Sequence, residues 1–220
     1  MKTIIITGSN RGIGLELSRQ FKDKGYDVVA VCRRSSDALD ALGVEVISDC
    51  DVSSVTDLSA LKEKLTGRNI DVLLNNAGVL ATNSLGQIDY DSVKWQFAIN
   101  AVAPLQVTET LLPLMSSGGK VAIVTSRMGS VADNDSGGQY GYRMSKAALN
   151  AASMSLSKDL APRNIAVGIY HPGYVQTDMV NHGGDISANV AAGRLVNLME
   201  NLTMAETGVF KHSNGEVLPW

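Results

Sequence analysis

The chain has 220 residues, of which 45% are hydrophobic and 19% charged, with a formal net charge of −3. That balance argues against a disordered or fibrous chain, and basic residues that are scattered rather than clustered argue against a nucleic-acid partner. The length suits one domain with a sizeable core, and no linker, repeat or low-complexity tract divides it.

In chain order, short β-rich runs alternate with longer helical patterns. Strands are predicted at 3–7, 27–31, 44–48, 72–75, 120–125, 166–170 and 208–211. Helices are predicted at 13–24, 55–66, 91–115, 142–160 and 186–199, with Gly25 placed to end the first and Ser53 or Ser54 to cap the second. Most of the strand runs are apolar throughout, the pattern of parallel strands covered on both faces. The expected fold is a single α/β domain spanning 1–220, a doubly wound parallel sheet of about seven strands with helices on both faces.

The apolar run before Gly8 is too short for a signal segment and no stretch approaches a membrane span, so a cytoplasmic protein with no membrane partner is expected. Cys32 and Cys50 lack metal-ligand spacing, and His171, His182 and His212 are far apart in sequence. No metal is expected, and both thiols are expected to be free in a reducing compartment.

TGSNRGIG, residues 7–14, carries the chain from the first strand into the first helix. Gly8, Gly12 and Gly14, with Ser9, Asn10, Arg11 and Ile13 between them, can bring backbone close to a pyrophosphate at a helix amino terminus. Taken alone, the G-x-x-x-G-x-G spacing is also that of an ordinary tight turn. The end of the second strand is more telling. Where an NAD site places a carboxylate for the ribose hydroxyls, this chain has Cys32, Arg33 and Arg34. Arg33, helped by Arg11, is suited to a 2′-phosphate, which favours NADP(H) over NAD.

Farther on, Tyr142 and Lys146 stand four apart and share one helix face. A phenol titrating near 10 is a poor acid at neutral pH, and a neighbouring ammonium makes it a better one. Tyr140 has no lysine four residues on and is read as a pocket wall or as packing at the helix start.

Thr7-Gly8-x-x-x-Gly12-Ile13-Gly14, Asp51-Val52, Asn75-Asn76-Ala77-Gly78, Asn100, Ser126, Tyr142-x-x-x-Lys146 and Pro172-Gly173-x-x-x-Thr177 occur in one order over nearly the whole chain. This set resembles the short-chain dehydrogenase/reductase family. YRMSKAALN, the ADNDSGG stretch before Tyr142 and the final GEVLPW resemble its sniffer and C-factor type of carbonyl reductase.

The resemblance implies a Rossmann-like fold and an NADP(H)-dependent reduction of a small-molecule carbonyl, an aldehyde, ketone or quinone, to an alcohol. It implies that Ser126 binds the carbonyl oxygen, Tyr142 donates the proton, Lys146 lowers the tyrosine pKa and binds the nicotinamide ribose, and Asn100 holds a water leading to Lys146. Asp51 and Val52 would border the adenine. Asn76, Ala77 and Gly78 would meet the cofactor beyond the fourth strand. Thr177 would contact the carboxamide, with Pro172 and Gly173 shaping the backbone there and Val175 also among the cofactor contacts, and Asn75 is read as structural. Residues 179–203, with a Gly183-Gly184 hinge, would form a short substrate lid. A homodimer or homotetramer is expected through 91–115 and 142–160, where Ala147, Ala148, Ala151, Ala152 and Ser155 permit close helix approach. Two other functions fit the same resemblance: a C-factor-like nucleotide-binding signalling protein, and a reductase of another bond such as a pteridine C=N.

Overall fold

The computed structural model describes all 220 residues. Seven strands form one parallel sheet: β1 (Thr3–Thr7), β2 (Asp27–Val31), β3 (Glu45–Ile47), β4 (Ile70–Asn75), β5 (Met115–Val124), β6 (Ala166–His171) and β9 (Phe210–His212). Their order is β3-β2-β1-β4-β5-β6-β9, and Ile5 lies between Val29 and Leu73 in register. A separate two-strand pair joins β7 (Val175–Gln176) to β8 (Ile186–Ser187).

Strand residues alternate between two helical layers, which is why the strands are apolar at nearly every position. Ile4 and Ile6 pack with Leu17 and Phe21 of α1 (Gly12–Asp23) and with Leu195 and Met199 of α7 (Ala188–Asn201). Ile5, Val121 and Ile169 face the other way, toward α3 (Val55–Lys64), α5 (Ala103–Leu111) and α6 (Tyr140–Leu160). Leu58, Leu111 and Leu149 supply the helical side of that layer.

The segment 91–115, expected as one helix, is divided. After α4 (Tyr90–Phe97), the turn Ala98–Val102 widens so that the Ala103 amide donates to the Ala98 carbonyl five residues back. Pro104 lies just beyond and has no N–H to give the carbonyl of Asn100, four residues earlier, so the ordinary helical ladder cannot run through. Leu112–Leu114 tighten into a final turn containing Pro113, and Met115 already pairs with Ile70 as the start of β5. A short helix α2 (Asp37–Asp40), capped by Ser36, was not expected because four residues are too few to show a periodicity.

The last expected helix sits at 188–201 and packs in the core through Ala191, Ala192, Leu195 and Val196. Of the expected lid, 179–203, the part beside the cleft is short: a 3-10 turn at Asp178–Val180 and irregular chain over 181–185.

Candidate active site

Strand order reverses between β1 and β4, and a cleft of about 970 Å³ opens at their carboxyl ends. Its floor is the turn into α1. A side chain on Gly14 would place its Cβ 2.1 Å from the Gly8 carbonyl oxygen, so only glycine lets the helix begin this close to the preceding turn. Asn76 ties the two strand ends together, donating from Nδ2 to the carbonyls of Thr7 (3.0 Å) and Gly8 (3.1 Å). Thr7 Oγ1 in turn accepts from the amides of Asn76 (3.1 Å) and Ala77 (3.2 Å).

These contacts build a cradle for an anion. No side chain caps α1 and its first turn has no acidic residue, so its first N–H groups and its dipole are free to meet negative charge. Asn10, Arg11, Gly12 and Ile13 line the cleft there with Gly8 and Gly14. Ser9 does not. It is fully buried, its hydroxyl donating to the carbonyls of Ile6 (2.5 Å) and Val31 (3.3 Å), so its part is to fix the turn.

At the far end, Arg33 and Arg34 line the cleft as exposed guanidiniums, joined there by Asp51 and Val52. The Ser53 hydroxyl, hydrogen-bonded to Asp51 at 2.6 Å, holds that carboxyl below its usual range, and nearby Arg33 adds to the effect. Cys32 and Cys50 also border this end as buried free thiols. A glycine cradle at an uncapped helix and two guanidiniums at the adenosine end fit a dinucleotide carrying an extra phosphate.

Arg11 is engaged elsewhere. Its Nη1 lies 3.1 Å from Asp178 Oδ2, and His182 Nε2 lies 3.1 Å from the other oxygen of the same carboxylate. Asp178 and His182 both line the cleft, and neither was anticipated, because nothing local in the sequence marks residues that reach a site only by chain return.

Tyr142 and Lys146 project from α6 into the cleft, each nearly buried, with Lys146 Nζ 5.9 Å from the centre of the Tyr142 ring. Lys146 donates to the Val124 carbonyl at 3.1 Å. Burial pushes the Tyr142 phenol up to about 12, with its hydrogen bond to Ser126 opposing, and draws the Lys146 ammonium down to about 8. In the pocket by itself, loss of hydration outweighs the Ser126 hydrogen bond and the phenol is raised rather than lowered. The site holds a protonated phenol beside a hydroxyl.

Asn100 lies behind the cleft, fully buried in the widened turn. Its Oδ1 accepts from the Val79 amide (2.8 Å), and its Nδ2 donates to the Val79 carbonyl (2.8 Å) and to Ser145 Oγ (3.0 Å). These bonds tie the widened turn to the chain beyond β4 and to α6. Asn75 donates to Thr108 Oγ1 at 3.0 Å and ties β4 to α5.

Pro172 and Thr177 line the cleft, with Ala77 and Gly78 opposite. Gly173 and Val175 stand behind them. Gly173 packs toward Ile186 and His212, and Val175 is a buried member of the β7–β8 pair.

Comparison with known proteins agrees with this geometry. The family model for short chain dehydrogenases matches residues 2–185. The chain is 39% identical over 226 residues to the 1-hydroxy-2-glutathionyl-2-methyl-3-butene dehydrogenase of Rhodococcus sp. (strain AD45), covering 100% of both chains. It is 44% identical over 154 residues to the C-signal protein of Myxococcus xanthus, covering 69% of this chain and 93% of that one. A carbonyl reductase from Pseudomonas aeruginosa PAO1, solved in complex with NADP, superposes with a TM-score of 0.88 at 30% identity and covers 100% of both chains. The chain belongs to the short-chain dehydrogenase/reductase family.

Proposed function

We propose that this oxidoreductase uses NADP(H) to interconvert a small-molecule carbonyl and its alcohol, with reduction as the favoured direction. The observation that carries the reading is the pairing of Tyr142, which lines a cleft whose far end presents Arg33, with buried Ser126. When bound, NADPH would supply the hydride; Gly8, Gly12, Gly14 and the start of α1 would hold its pyrophosphate, Arg33 its 2′-phosphate, and Lys146 and Thr177 its nicotinamide end.

The remaining work falls to the chain. Ser126 donates a hydrogen bond to the carbonyl oxygen and fixes its position. Tyr142, protonated at neutral pH, passes its phenolic proton to the same oxygen as negative charge develops there. Lys146, protonated below about pH 8, stabilises the phenolate left behind. Asn100 holds the water that links Lys146 to solvent, through which the proton is replaced.

The Rhodococcus relative's name describes a dehydrogenase of a glutathionyl alcohol, so glutathione-linked carbonyls join aldehydes, ketones and quinones among the substrates to try. Similarity to C-signal favours a second reading, nucleotide binding without turnover. The intact Ser126, Tyr142 and Lys146 arrangement supports turnover instead, since binding alone does not call for it. A screen of NADPH oxidation across these carbonyl classes decides between them: tight NADPH binding with no turnover on any would support the signalling reading.

No helix is long and apolar enough to cross a membrane. Buried free thiols at Cys32 and Cys50 support placement in the reducing cytoplasm. We further propose a homodimer or homotetramer. The alanines of α6 support it, because Ala147, Ala148, Ala151 and Ala152 are at least partly exposed while Leu149, Ser153 and Leu160 face the sheet.

A further inference from the structure

The turn that carries Ser126 is held from two sides. On one side, Ser126 Oγ accepts from the Met128 amide at 3.1 Å, and the turn Arg127–Gly129 lies flat on α6. A Cβ on Gly129 would stand 2.6 Å from the carbonyl carbon of Lys146, so the turn touches the backbone of the helix at the lysine itself. On the other side stands the last stretch of the chain. The Trp220 backbone oxygen accepts from the amides of Val131 (3.1 Å) and Ala132 (2.9 Å) and from Ser130 Oγ (2.9 Å).

Trp220 is itself anchored. Its ring stacks on buried Phe210 of β9 with centroids 5.3 Å apart and planes 26° from parallel. Between them the chain folds back on itself: the His212 amide donates to Glu216 at 2.8 Å and the Leu218 amide to Phe210 at 2.9 Å. Arg127, the residue after Ser126, pairs with Asp133 within the same loop at 2.5 Å and reaches Glu216 of this segment at 3.5 Å. The same segment also reaches the cofactor end. Ser213 donates from its amide to the His171 carbonyl and from its hydroxyl to the Pro172 carbonyl, both at 2.8 Å.

From these contacts we infer that residues 213–220 are a strap that sets the two halves of the reaction site, with Trp220 a positioning residue for Ser126 and Ser213 a positioning residue for the Pro172-Gly173 turn. The inference rests on the proposed carbonyl chemistry for its kinetic consequence and on the contacts alone for its structural one. A displacement of about 1 Å at a reacting group can cost roughly a hundredfold in rate, and beyond the end of β5 the Ser126 turn is held by α6 and this strap. The two ends of the strap serve different ligands, so they separate in experiment in a way that general loss of stability does not.

Trp220→Ala removes the stack that seats the backbone oxygen. Its expected result is a fall in kcat of about tenfold or more, an NADPH dissociation constant within about twofold of wild type, and faster hydrogen exchange at the Val131 and Ala132 amides. Trp220→Phe keeps a stacking ring and restores all three. Ser213→Ala weakens NADPH binding and leaves exchange at Val131 and Ala132 as in wild type. Unchanged exchange and kcat in Trp220→Ala, or NADPH binding that weakens in step with kcat, overturns the inference. Should the wild type reduce no carbonyl, the proposed function fails, and the strap is then decided by the exchange rates and NADPH binding of the two variants.

Discussion

Lys146 Nζ stands 5.9 Å from the centre of the Tyr142 ring and donates to the Val124 carbonyl, with no carboxylate among its contacts. A buried ammonium satisfied only by a carbonyl is easily neutralised, and burial draws Lys146 down to about 8. The charge is therefore present below about pH 8 and lost as pH rises through it. Tyr142, pushed up to about 12, keeps its proton over that range. The kcat/KM for carbonyl reduction is expected to be level below pH 8 and to fall by about tenfold per pH unit above it. Lys146→Arg, which stays charged, should carry the falling limb to higher pH whatever its absolute rate. A limb left in place in that variant would assign it to another group.

Tyr142→Phe deletes one hydroxyl from a buried ring and leaves the glycine turn alone. Loss of general acid catalysis is expected to lower kcat about a hundred- to ten-thousandfold, with NADPH binding by fluorescence preserved. Tyr140 opens α6 and does not line the cleft, so Tyr140→Phe should change kcat little. The opposite pattern in the two variants would refute the assignment of the acid.

Arg33 tests the choice of cofactor. One charge-assisted contact contributes about 1.5–3 kcal/mol, or roughly ten- to a hundredfold in affinity. Arg33→Asp is expected to raise the KM for NADPH by that factor and to leave the KM for NADH nearly unchanged. A wild type that already prefers NADH would contradict the reading of this end of the cleft.

Gly14→Ala probes the floor of the cleft. The added Cβ would stand 2.1 Å from the Gly8 carbonyl oxygen, and that backbone has to move to make room. NADPH affinity is expected to drop by about tenfold or more, while the sheet, whose core lies away from the turn, keeps its circular-dichroism spectrum.

Association can be checked on α6. Met144 is 54% exposed and Ala151 is exposed beyond it on the same helix, so Ala151→Glu places a charge where a second copy is expected to pack. Sedimentation should show an assembled wild type at micromolar concentration and a monomeric variant. A monomeric wild type would end the proposal.

Much of this protein was legible in its residues taken in order. Apolar runs such as Ile4-Ile5-Ile6 declare a strand covered on both faces, and their alternation with helical segments fixes a parallel, doubly wound sheet. Local chemistry was equally readable. Gly8 and Gly14 mark a turn that tolerates no side chain, and Tyr142 with Lys146 marks one face of one helix.

What lay beyond the sequence was everything set by chain return and by burial. Ser9 sits inside a cofactor motif yet points into the core, because its hydroxyl finds the carbonyls of Ile6 and Val31 there. Arg11 meets Asp178, 167 residues away, and the Ser126 turn meets Trp220, contacts that no local pattern encodes. Burial then changes the chemistry of residues whose identity was plain. The order of residues named Tyr142 and Lys146 as partners, but only the packed pocket, by stripping water from both, pushes the phenol up and draws the ammonium toward neutrality.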